Sequence, residues 1–97
     1  MPKPKILIVD DEEGFTKLTR MTLTEYDIRE ENSSMRALET ARSFRPELIL
    51  LDVMMPGLDG GVVAAQLRAD PKWQNVRVIF LTAIVTLKES ARALLGG

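Results

Sequence analysis

The chain has 97 residues, with 13 Lys and Arg against 14 Asp and Glu, for a formal net charge of −1. That length allows one domain, and that balance offers no general attraction for nucleic acid or an anionic membrane. There is no Cys and no His, which excludes disulfides, thiolate metal sites and imidazole acid–base chemistry. Any bound metal is therefore expected to be a hard cation held by oxygens.

The first apolar stretch, Ile6 to Val9, is too short for a signal-peptide core or a membrane span. A soluble, cytoplasmic protein is the expectation. Ile6-Leu7-Ile8-Val9 is rich in β-branched residues, as in a strand covered on both faces. Asp11 is a candidate cap for a helix with Glu12 and Glu13 in its first turn, where negative charge suits the dipole. Phe15, Leu18, Thr19 and Thr22 follow at helical spacing. Asp27-Ile28-Arg29 predicts a short polar strand, suited to a sheet edge.

Asn32, Ser33 and Ser34 are cap candidates for a second helix with an inner face of Ala37, Leu38, Ala41 and Phe44. Pro46 marks its end. Leu48-Ile49-Leu50-Leu51 is a second buried run and ends at Asp52. Pro56-Gly57 and Gly60-Gly61 punctuate a loop, and Asp59 is a cap candidate for the third helix. Val63, Ala64 and Leu67 stripe that helix, Pro71 stops it, and Trp73 covers its end without a chemical role. Val76 to Leu81 reads as a third buried strand, closed by Thr82. Leu87, Ala91, Leu94 and Leu95 stripe a last helix that runs into Gly96-Gly97.

Alternating strands and helices with short loops imply a parallel sheet with helices on both faces and right-handed crossovers. Ligands of such sheets bind beyond the carboxyl ends of the strands. Three apolar strands end there in functional groups: Asp10 and Asp11, then Asp52, then Thr82. Carboxylates brought together repel, and a divalent cation such as Mg²⁺ offsets that repulsion. A carboxylate can also attack phosphorus to give an aspartyl phosphate. Each feature has a blander reading alone: a solvated helix start for Asp10 to Glu13, a polar strand end for Asp52, an ordinary β-branched terminus for Thr82. The Met54-Met55 pair reads as loop packing.

Three strings in order, Ile8-Val9-Asp10-Asp11-Glu12, Asp52 to Gly60 and Leu81-Thr82-Ala83, resemble the motifs of the receiver domain of two-component response regulators. The resemblance covers Lys3 to Leu95 and implies a flavodoxin-like sheet of order 2-1-3-4-5, a fold for which receivers are a standard example. It implies that Asp52 is phosphorylated by a sensor histidine kinase or a histidine phosphotransfer protein. Asp11 and Asp52 would ligate Mg²⁺, with Asp10 adjacent or water-bridged and Met54 adding its backbone carbonyl. Thr82 would hydrogen-bond the phosphoryl group and act in the switch, and Ala83 would leave space beside it. Without His the chain can receive a phosphoryl group but cannot be its own histidine donor.

A full receiver continues into a fifth strand, ending in a lysine, and a fifth helix. This sequence stops at Gly97, about where that strand begins, and Lys88 in the predicted last helix does not replace the lysine. The expectation is a single α/β, receiver-like domain over residues 1–97, incomplete after the fourth helix. It is either a truncated form or a natural short form covered by a partner. Its fourth strand would be an exposed edge open to self-association.

The leading functional reading is a phosphoacceptor module. It is not a conventional enzyme, carrying at most Mg²⁺-dependent self-phosphorylation and autodephosphorylation at Asp52. A second is a pseudo-receiver, a protein-interaction scaffold with little phosphorylation. A third, a phosphohydrolase with an aspartyl nucleophile, is weaker, because such enzymes place a second acid where this chain has Met54.

Overall fold

The computed structural model describes residues 2–52 and 60–81. Four strands, β1 (Lys5–Val9), β2 (Asp27–Glu31), β3 (Leu48–Leu51) and β4 (Arg77–Phe80), form one sheet of order β2-β1-β3-β4. Every pairing is parallel. Between the strands run α1 (Glu13–Thr22), α2 (Ala37–Phe44) and α3 (Gly60–Ala69), with 3₁₀ turns at Ser34–Arg36 and Pro71–Trp73. The alternation and the first four positions of the receiver order are those read from the sequence.

The two apolar runs occupy the two central strands because only there are both faces covered. Leu7, Val9, Ile49 and Leu51 pack with Ala37, Ala41 and Phe44 of α2, Leu67 of α3, and Trp73. On the opposite face Ile6, Ile8, Ile28 and Leu81 form a second cluster, with Phe15, Leu48 and Leu50 partly buried against it. Trp73 thus closes the end of α3, as expected. A fully buried aliphatic side chain stabilises the fold by about 1.5–3 kcal/mol, so the central pair supplies much of the cohesion.

At several places the local structure differs from the sequence pattern. The cap of α1 is Glu12, not Asp11, and its side chain makes no capping hydrogen bond. The reason lies one residue earlier, where Asp10 Oδ1 accepts the Glu12 N–H at 3.0 Å and turns the chain into the helix. The inner face of α1 is centred on Thr16, with Leu18 63% exposed. Thr16 is held by polar partners on β2, which rotates the helix relative to its apolar stripe. The second helix begins at Ala37 after the 3₁₀ turn, and Ser33 caps that turn without a side-chain bond. It ends at Phe44 with Arg45 in the left-handed region, φ 55°, just ahead of Pro46.

β2 is an edge strand, as its polar sequence suggests, and runs two residues further than read, to Glu31. β4 is shorter than Val76 to Leu81 and is not buried: Ile79 and Phe80 are 50% and 40% exposed. It lies at the other end of the described sheet, so one of its sides has no strand neighbour among the described residues. The last predicted helix, Leu87 to Leu95, lies outside the described residues, as do Asp59, Ala83 and Lys88.

Candidate functional site

The register of the central strands decides what meets at the carboxyl rim. Val9 pairs with Leu51, and Leu51 with Phe80. Backbone bonds extend this order one residue further. The Asp52 N–H donates to the Val9 carbonyl at 2.9 Å, the Asp10 N–H to the Glu31 carbonyl at 3.0 Å, and the Leu81 N–H to the Leu51 carbonyl at 3.0 Å. Asp10 and Asp52 therefore leave neighbouring strands at one level, each rooted in the sheet.

Their side chains are sequestered, Asp10 at 0% and Asp52 at 3% exposure, whereas Asp11 is exposed. One carboxylate oxygen from each of Asp10, Asp11 and Asp52 lies within 4.8 Å of the others. Two ionised carboxylates that close repel by about 3 kcal/mol at an effective dielectric of about 20. A positive charge placed among them offsets such repulsion. Three hard oxygen donors, one on the solvent side, suit a Mg²⁺ ion that keeps some of its water.

The structure thus brings together Asp10, Asp11 and Asp52 of the expected site. Met54 and Thr82 lie outside the described residues. A polar network unforeseen from the sequence supports the acidic turn. Asn32 Nδ2 donates to the Asp10 carbonyl and to Thr16 Oγ1, both at 2.9 Å. Thr16, completely buried, donates to Glu30 Oε1 at 2.8 Å, and Glu30 is paired with Arg20. On the outer side, Glu31 accepts from the Ser33 N–H and from the Thr40 hydroxyl. Asn32 and Thr16 carry no periodic signal. Their long-range bonds to each other, to Asp10 and to Glu30 depend on β1, α1 and β2 lying side by side.

The model of the response regulator receiver domain matches residues 6–97 of the sequence. The chain belongs to the response regulator receiver family. Among curated relatives of this receiver, the response regulator PleD of Caulobacter vibrioides is 39% identical over 82 residues, covering 82% of this chain and 18% of that protein. The probable transcriptional regulator ycf27 of Porphyra purpurea is 42% identical over 84 residues, covering 84% of this chain and 33% of the relative. The receiver thus spans a third or less of these relatives' length. The crystal structure of chemotaxis response regulator CheY4 of Vibrio cholerae superposes with a TM-score of 0.75 at 24% identity, covering 80% of this chain and 67% of that one, and shows the shared fold.

Receivers as a family take part in two-component signalling, in which phosphoryl acceptance from a kinase is the general role. They interact with histidine kinases or phosphotransfer proteins and generally bind Mg²⁺ at an acidic pocket. A cluster of three aspartates is present in this chain. Among the described residues no helix is long and apolar enough to cross a membrane.

Proposed function

We propose that Asp52 of this receiver accepts a phosphoryl group from the phosphohistidine of a sensor histidine kinase or histidine phosphotransfer protein in the cytoplasm. The observation that carries the reading is the approach of Asp10, Asp11 and Asp52 to within 4.8 Å at the rim of the sheet. An Asp52 carboxylate oxygen attacks phosphorus, forming the P–O bond of an acyl phosphate as the P–N bond to the donor imidazole breaks. The imidazole leaves with the bonding pair and takes a proton.

Asp10, Asp11, Asp52 and the Met54 backbone carbonyl would hold Mg²⁺, which when bound neutralises charge developing on the transferred group. The donors fit a hard cation, since all are oxygens and neither imidazole nor thiolate is available anywhere in the chain. The backbone bond from Asp52 to Val9 fixes the nucleophile's root on the central sheet, so its carboxylate is presented without reorganisation of the strand. Thr82 hydrogen-bonds the new phosphoryl group and serves the switch. Exposed Ile79 and Phe80 on β4 also support self-association through that edge.

The test is intact-mass measurement after incubation with acetyl phosphate and Mg²⁺. One added phosphoryl group is expected, absent without Mg²⁺ and absent in Asp52→Asn. A protein that gains no phosphoryl group under these conditions acts instead as a phosphorylation-independent scaffold.

A further inference from the structure

The acidic turn is held by more than its own strand. Asp10 uses its N–H toward Glu31, its Oδ1 toward the Glu12 N–H, and its carbonyl toward Asn32. The first contact belongs to the sheet and the second to the turn. The third comes from a side chain on the segment that follows β2. An amide nitrogen has two hydrogens, and Asn32 Nδ2 has two acceptors at 2.9 Å, the Asp10 carbonyl and Thr16 Oγ1. It therefore ties the turn before α1 to the buried threonine inside α1. The Thr16 hydroxyl in turn donates a hydrogen bond to Glu30, which Arg20 holds from the same helix.

We propose that Asn32 is a positioning residue for the divalent-cation site, locking the Asp10–Asp11 turn against α1 and β2 so that the carboxylates keep the spacing Mg²⁺ requires. The inference rests on the reading of Asp10, Asp11 and Asp52 as the cation site. Its physical basis is the different tolerance of two ions. Mg²⁺ demands near-ideal octahedral geometry, whereas Ca²⁺ accepts irregular, longer coordination. Partners that orient ligands, without touching the metal, commonly control affinity by tenfold or more. Loosening the turn therefore penalises Mg²⁺ more than Ca²⁺. A loss of general stability gives no such discrimination.

Amide NMR titrations with MgCl₂ and, separately, CaCl₂ test this on the whole chain. Asn32→Ala is expected to weaken Mg²⁺ about tenfold and Ca²⁺ by less than about threefold. Thr16→Val, which removes the second acceptor of Asn32 while keeping the side-chain shape, shifts affinity in the same direction. Thr16→Ser, which retains the hydroxyl, keeps the wild-type preference. Unchanged Mg²⁺ affinity in Asn32→Ala overturns the proposal, as does an equal loss for both ions with a lowered metal-free melting temperature. If the wild-type chain binds neither ion, the reading of the acidic site falls first and takes the positioning role with it.

Discussion

The central and outer strands of the sheet are built to different rules. From Ile6 to Val9 every β1 residue is buried, and Ile49 and Leu51 of β3 are 2% and 0% exposed. On β2 only Ile28 is buried, and β4 has no buried residue. The central pair ends in the sequestered acids Asp10 and Asp52, while the outer pair carries charge or exposed apolar surface. The proposed cation site, which depends on ångström spacing, would draw its two buried acids from the two covered strands. Exposed side chains are concentrated on the two outer strands.

The largest expected contrast is in stability. Leu51→Ala should destabilise the domain by about 2–5 kcal/mol, because its cavity opens between β3 and α2. Ile79→Ala should cost below about 1 kcal/mol, since half of that side chain is already in water. Urea unfolding with matched m-values measures both, and equal losses would erase the distinction between centre and edge. A smaller effect concerns the acids. Mg²⁺ at ten times its dissociation constant should stabilise the fold by about 1.4 kcal/mol, and Asp11→Ala should remove most of that gain. A melting temperature insensitive to Mg²⁺ would separate the acidic cluster from cation binding. The mildest change is expected at the β4 edge. Ile79→Lys combined with Phe80→Lys should leave the fold intact and abolish any concentration-dependent rise in sedimentation coefficient. A rise retained in the double variant would place self-association elsewhere.

The same division explains what could be read from the sequence. Ile6 to Val9 and Leu48 to Leu51 are unbroken apolar runs, so the central strands and their acidic ends are legible in the sequence. Parallel topology then placed Asp10, Asp11 and Asp52 together, as the geometry of the rim bears out. The face of α1 was not legible in this way. Leu18 belongs to an apolar stripe, yet Thr16 is buried, because a hydroxyl bonded to Glu30 and Asn32 can be enclosed at little cost. Asn32 resembled a helix cap by residue type alone. Its bond to the Asp10 carbonyl spans 22 residues and depends on two strands lying side by side. Asp10, rather than Asp11, shapes the entry to α1, a difference that composition in a run of four acids does not encode.

The most direct test of the central claim is reductive trapping of the phosphorylated protein with borohydride, followed by peptide mass spectrometry. An aspartyl phosphate is reduced to homoserine at the residue that carried it. The arrangement of β1 and β3 predicts homoserine at position 52 alone, dependent on Mg²⁺. Trapped product at Asp10 or Asp11 with Asp52 unmodified would contradict it.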